Sequence, residues 1–152
     1  MKEKKIALFT GTFDPFTMGH KQIVDRALAI ADEVVVGIGV NVNKHTMFPL
    51  EKRIEFINRV YADNPAVSVK SYNGLTADFA KEVGASFIVK GVRSIIDFEY
   101  EKQMADMNRR LSGIETVLLF SDEEYSAVSS SLIRELLSYG KDVSRFLPYT
   151  LD

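Results

Sequence analysis

The sequence predicts an α/β protein built on a parallel five-stranded sheet with helices on both faces. Two observations carry that expectation. Five short runs are rich in Val, Ile, Leu or Phe, and a helical apolar stripe follows each of them. Strands buried on both faces read as continuous apolar runs, which separates a parallel sheet from a half-solvated antiparallel one.

The first run is Ile6–Phe9, stopped at Gly11, and the second is Val34–Val40. Val67–Val69, Phe87–Val89 and Val117–Phe120 are the third, fourth and fifth. Ile23, Ala27, Leu28 and Ile30 mark the first helix by their spacing. Leu50, Ile54, Ile57 and Tyr61 mark the second, with Pro49 placed to open its first turn. Leu75, Phe79 and Val83 predict a short third helix ended by Gly84. A fourth spans Phe98–Leu111, with Gly113 beyond it. Leu132, Leu136 and Leu137 make the fifth, started by Ser129–Ser131 and stopped by Gly140. β-α repeated five times is the pattern of a doubly wound, Rossmann-like sheet in one domain over residues 1–152. The stretch Lys141–Asp152 carries no readable period.

A chain of 152 residues can bury roughly two-thirds of its unfolded surface, so a full core is expected. Nineteen Lys and Arg against twenty-one Asp and Glu leave a formal charge of −2. That argues against nucleic-acid coating and against a polybasic membrane anchor. With no cysteine, disulfides, thiolate catalysis and Cys-based zinc sites fall away together. His20 and His45 are the only histidines, too few for a multi-histidine metal cage, and no resident metal site is expected. The segment Met1–Lys5 is charged and the run after it too short for a secretory signal, so the expected location is the cytoplasm.

In an open α/β sheet, ligands bind beyond the carboxyl ends of the strands. After the first strand come Thr10 to Pro15 and then Thr17-Met18-Gly19-His20. Lys44 follows the second strand and Leu75-Thr76 the third. Lys90-Gly91-Val92-Arg93 follows the fourth, and Tyr125-Ser126 with Val128 to Ser131 the fifth. Four of these five segments bring a cation, a glycine or a hydroxyl cluster to a helix start. Phosphate needs those groups, because helix N-termini supply free N–H donors and Lys or Arg supplies full charge. Neither G-x-x-x-x-G-K-[ST] nor G-x-G-x-x-G follows the first strand, which disfavours a P-loop ATPase and a nicotinamide dehydrogenase.

Two signatures, T-x-G-H at Thr17–His20 and V-S-S-S-L-I-R at Val128–Arg134, resemble those of the nucleotidyltransferase superfamily. Gly11–Pro15, Asn43–Phe48, Lys90–Glu101, Met107–Arg109 and Phe146–Pro148 narrow the resemblance to the phosphopantetheine adenylyltransferase family. It implies transfer of AMP from ATP to 4′-phosphopantetheine, giving dephospho-coenzyme A and pyrophosphate. By motif match, Thr12, Phe13 and His20 would contact ATP, joined by Gly91, Val92, Arg93 and Glu101. Tyr125, Ser126, Ala127, Val128, Ser129, Ser130 and Ser131 would complete that site. Thr12, Lys44, Thr76 and Lys90 would hold the phosphopantetheine. The resemblance further implies Mg²⁺ carried on the ATP phosphates, a cytoplasmic homohexamer and feedback inhibition by coenzyme A. Three departures stand out: Lys90 where the family more often has Arg, Thr76 in place of a commonly apolar residue, and a shorter tail.

The chemistry expected needs no general base. A phosphate monoester is mostly dianionic at neutral pH, its second pKa being about 6, so alignment and charge relief suffice. His20, Lys44 and Arg93 are the residues expected to carry catalysis. Taken singly, each has a plainer explanation: His20 as a helix cap, Ser129–Ser131 as an N-cap run, Asp14 as a turn residue, the cations as solvated loop charges. Two rival functions are a sister nucleotidyltransferase acting on nicotinate mononucleotide or a polyol phosphate, and a non-catalytic nucleotide-binding module.

Overall fold

Five strands form one parallel sheet in the order β3-β2-β1-β4-β5, where β1 is Ile6–Gly11, β2 Glu33–Gly39, β3 Val67–Tyr72, β4 Phe87–Val92 and β5 Glu115–Phe120. The computed structural model describes residues 3–151; Met1, Lys2 and Asp152, which belong to the charged N-terminal segment and the tail, lie outside the described residues. Helices α1 (Met18–Ala27), α2 (Leu50–Val60), α3 (Thr76–Glu82), α4 (Ile95–Ser112) and α5 (Ser130–Ser138) follow the strands in turn. The α/β class, the five parallel strands and the five helices agree with the sequence reading.

The alternation of side chains along each strand divides the core into two layers. Phe9, Val36 and Val89 face the larger one, where Val24 of α1, Ile57 of α2 and Ile133 of α5 pack against them. Leu8, Val35 and Ile88 face the smaller one, closed by Phe79 and Ala80 of α3. α4 packs on α3, β4 and β5. Helices therefore cover both faces.

Several boundaries differ from the sequence reading, each for a physical reason. β1 runs on through Thr10 and Gly11, β3 through Tyr72 and β4 through Val92. Ladder bonds are made by backbone, so polar and glycine residues extend a strand that an apolar run only begins to mark. α1 stops at Ala27 and leaves Ile30 44% exposed, because Asp32 N–H already donates to the Lys5 carbonyl at 2.8 Å and pulls the chain into β2. Pro49 and Leu75 sit one position earlier than expected, as N-cap residues of α2 and α3. α4 starts three residues earlier, where the Ser94 hydroxyl accepts the Asp97 N–H at 3.2 Å. Gly84, Gly113 and Gly140 all take positive φ just past helix ends, as their positions predict.

The tail, unreadable in the sequence, folds back onto the larger core. Val143, Leu147 and Tyr149 are buried there around a single 3-10 turn at Ser144–Phe146. The Tyr149 ring stacks on Phe56 with centroids 4.6 Å apart, and its hydroxyl donates to the Phe16 carbonyl at 2.6 Å.

Candidate active site

β1 pairs with β2 from Ile6 to Gly11 and β4 with β5 from Phe87 to Val92, but β1 and β4 pair with each other only over Ala7–Phe9 and Phe87–Val89. Past Phe9 and Val89 the two halves of the sheet separate. This is the topological switch point, where chain connections depart in opposite directions and leave a crevice. The Lys90 ammonium bridges it, donating to the Thr10 carbonyl at 2.8 Å.

Two cavities open there. The larger, about 520 Å³, is bounded by Gly11, Phe13, Gly19 and His20 on one side and by Gly91, Arg93, Glu101 and Val128 to Ser131 on the other. The smaller, about 220 Å³, lies between the sheet and α3–α4, among Thr12, Tyr72, Thr76, Asn108 and Thr116. Thr10, Gly11, Lys90, Tyr100 and Glu101 line both.

Glycine lets α1 come close to this crevice. A Cβ on Gly19 would stand 3.1 Å from the Val128 carbonyl oxygen, and one on Gly91 would stand 3.0 Å from the Ile23 side chain. Phe13 turns the chain in the left-handed region, at φ 52°, and its ring meets His20 edge-on with centroids 4.9 Å apart.

His20 is the third residue of α1 and closes a capping box with Thr17. Thr17 N–H donates to His20 Nδ1 at 3.0 Å, and the His20 N–H donates to Thr17 Oγ1 at 3.4 Å. An accepting Nδ1 places the proton of the neutral ring on Nε2. Burial first, then the positive charges of Lys90 and Arg93, push the imidazole down to about 3. His20 is thus both the helix cap that the plainer reading foresaw and a neutral donor lining the larger cavity.

The other cations are arranged around it. Burial lowers the Lys90 ammonium while Glu101, 3.9 Å away, raises it; burial raises the Glu101 carboxyl against the pull of Lys90. Desolvation is the larger cause on both sides. Arg93 lines the larger cavity with its Nε 3.4 Å from Asp97. Lys44, on an exposed loop outside both cavity walls, reaches the smaller one through a 3.2 Å hydrogen bond to the hydroxyl of Thr12, which lines that cavity and not the larger. Thr76 donates to or accepts from the Tyr72 hydroxyl at 2.9 Å.

The serine run opens α5 at the cavity wall. Ser129 caps the helix by accepting the Leu132 N–H at 3.1 Å, Ser130 donates to the Pro15 carbonyl at 2.7 Å, and Ser131 accepts from Arg134 at 3.1 Å. A helix N-terminus is therefore presented to the cavity by hydroxyls that are themselves anchored. Val92 is buried behind the wall, and Tyr125, Ser126 and Ala127 stand just outside it.

Five residues near the crevice went unassigned in the sequence. Arg134 and Asn108 lie inside the stretches Val128–Arg134 and Met107–Arg109 without a role of their own, and Tyr72 and Arg53 carry no local signal. Asp14 was a turn residue on its sequence context. Only the folded chain makes Asp14 3% and Arg53 5% exposed.

A profile of the cytidylyltransferase-like family matches residues 8–136. The phosphopantetheine adenylyltransferase of Bacteroides thetaiotaomicron is 57% identical over 142 residues, covering 93% of this chain and 94% of its own. That of Porphyromonas gingivalis is 56% identical over 146 residues, 96% of this chain and 95% of its own. The Lachnoclostridium phytofermentans phosphopantetheine adenylyltransferase is 43% identical over 148 residues, 97% and 91%. Among solved structures, a bifunctional NMN adenylyltransferase/ADP ribose pyrophosphatase from Francisella tularensis superposes with a TM-score of 0.72 at 16% identity. The match takes in 97% of this chain and 46% of that one, and at this identity it speaks to the fold alone. By its identity along nearly the whole length to enzymes of that name, the chain belongs to the phosphopantetheine adenylyltransferase family of nucleotidyltransferases.

Proposed function

We propose that this chain, acting as one nucleotidyltransferase domain over residues 1–152, moves AMP from ATP to 4′-phosphopantetheine at the split between β1 and β4. The observation that carries the reading is two cavities meeting at one shared wall, where Lys90 stands between them. ATP occupies the larger, against His20, Phe13, Gly91, Arg93, Glu101 and the start of α5 from Val128 to Ser131. Val92 and Tyr125 to Ala127 back that wall. The pantetheine arm occupies the smaller, with Thr12, Thr76 and Lys90 along it and Lys44 at its rim.

One oxygen of the acceptor phosphate attacks the α-phosphorus of ATP. The new P–O bond forms as the bond to the bridging oxygen of the β-phosphate breaks, and pyrophosphate leaves with the electron pair. His20 donates Nε2–H to the α-phosphate oxygens as charge builds on them. Lys44 screens the repulsion between the incoming dianion and the nucleotide. Arg93 and the N-terminus of α5 hold the β- and γ-phosphates as they depart. Among the described residues no three His, Asp or Glu side chains gather to hold a metal; Mg²⁺ carried on the ATP phosphates would screen their charge. No described helix is long and apolar enough to cross a membrane, and this reading places the enzyme in the cytoplasm. Assembly as a homohexamer would cover apolar side chains such as Ile95 and Phe120, which are 70% or more exposed. Coenzyme A, which contains the product, would compete for the same two cavities.

The test is pyrophosphate release from Mg·ATP with 4′-phosphopantetheine, nicotinate mononucleotide or no acceptor. Release only with phosphopantetheine, with dephospho-coenzyme A found by mass, is the expected result. Release with nicotinate mononucleotide would overturn the acceptor assignment, and ATP binding without release would make the chain a nucleotide-binding module.

A further inference from the structure

Asp14 and Arg53 are buried charges that line neither cavity, and their hydrogen bonds go to backbone. The Asp14 carboxylate accepts the Met47 N–H at 2.8 Å with one oxygen and the Phe48 N–H at 2.9 Å with the other. Arg53 donates from Nε to the Phe48 carbonyl at 3.0 Å and from Nη1 to the Thr12 carbonyl at 2.9 Å. Phe48 is therefore gripped at both its N–H and its C=O. Thr12 is gripped as well, its carbonyl by Arg53 and its hydroxyl by Lys44. The same turn is tied on its far side to α5, where Arg134 donates to the Asp14 carbonyl at 2.9 Å.

Burying two charges is costly even when both are hydrogen-bonded, and apolar side chains of similar volume would hold a loop at less desolvation cost. Directional bonds do something apolar packing cannot: they set the register of two backbones against each other. The two backbones joined here are the turn that carries Thr12 and the exposed loop that carries Lys44.

We propose that Arg53, backed by Asp14, is a positioning residue for the acceptor, acting through Lys44 and Thr12 without touching substrate. The inference rests on the acceptor reading above. The guanidinium fork reaches two carbonyls at once, which a single ammonium cannot reproduce.

Arg53→Lys keeps the charge and loses the fork. Its expected effect is a rise of about tenfold in KM for 4′-phosphopantetheine, the scale of one charge-assisted hydrogen bond, with the Kd for ATP by calorimetry held within about twofold. Combined with Lys44→Ala, it should add less than its own separate loss, because residues that act through one another are not additive. Asp14→Asn, which removes one accepting oxygen and keeps the size, should split the two affinities the same way if Arg53→Lys folds poorly. Equal losses for ATP and acceptor, or fully additive losses in the double variant, would overturn the inference while leaving the function intact. A wild-type chain that binds ATP but not phosphopantetheine would remove the acceptor reading, and this inference with it.

Discussion

The ammonium of Lys90 lies 2.8 Å from the carbonyl oxygen of Thr10, in the gap where β1 and β4 cease to pair. One side chain thus stands where two strands would otherwise share a ladder bond, and it places a cation between the two cavities. Its charge reaches His20, which it and Arg93 hold below the ordinary histidine range together with the larger effect of burial. Lys90→Met should raise the His20 titration from about 3 while leaving it under 6.5, since the burial remains. An NMR titration of the His20 ring reads this directly, and an unmoved midpoint would show that Lys90 does not act on the ring.

A second prediction concerns stability against pH. Between pH 6.5 and about 3, the unfolded chain carries a proton on His20 that the folded chain does not. Stability contributed by keeping the ring neutral is therefore complete above pH 6.5 and is lost as the pH falls through that window. The loss is at most about 1.4 kcal/mol for each pH unit. Thermal melts of the wild type and His20→Gln from pH 7 to 4 should show the steeper decline in the wild type. Parallel declines would count against the buried neutral ring.

His20→Ala should lower turnover by about 10²–10³-fold, the scale of losing one preorganised donor, with ATP binding changed far less. The acid limb of the rate in His20→Ala should stay near pH 6, because it belongs to the acceptor phosphate, whose second pKa is about 6. An acid limb that vanishes with His20 would make the histidine a titrating base instead.

Gly19→Ala tests the close approach of α1 to the segment before α5. The added Cβ meets the Val128 carbonyl oxygen at 3.1 Å, a backbone atom with little room to give. A loss of about 1–3 kcal/mol in denaturant unfolding is expected, with weaker ATP binding, as His20 is pushed from the start of α5. Full ATP affinity in a destabilised variant would show that this spacing serves the fold alone.

Tyr149→Phe removes the hydroxyl that donates to the buried Phe16 carbonyl and keeps the ring stacked on Phe56. Leaving that acceptor unpaired should cost about 1–3 kcal/mol, seen as a lower Tm, with kcat little changed. An unchanged Tm would mean that the tail is held by its apolar contacts alone.

Much of this was legible in the residues. The apolar runs marked all five strands, most fully the central β1, β2 and β4, because a parallel strand buried on both faces must be apolar on both. Glycines past helix ends, the serine run and T-x-G-H were readable because capping is settled within one helical turn. The ladder runs past the apolar runs at Thr10 and Tyr72, whose side chains line the crevice, and at Val92, which is buried behind it. Leu75, counted as a core residue by its spacing, is 58% exposed, since the helix begins only after it.

By itself, then, the sequence determined the alternation of strand and helix, the caps, and which loops carry the glycines, hydroxyls and cations. All of these depend on neighbours within a few positions. The tertiary structure alone decided that β1 and β4 lie side by side and part early. It also decided that Asp14, Arg53 and Arg134 meet around one turn, across 41 and 120 residues of chain, and that His20 is neutral. Burial, charge proximity and backbone register are properties of elements brought together, and no local pattern encodes which elements those are.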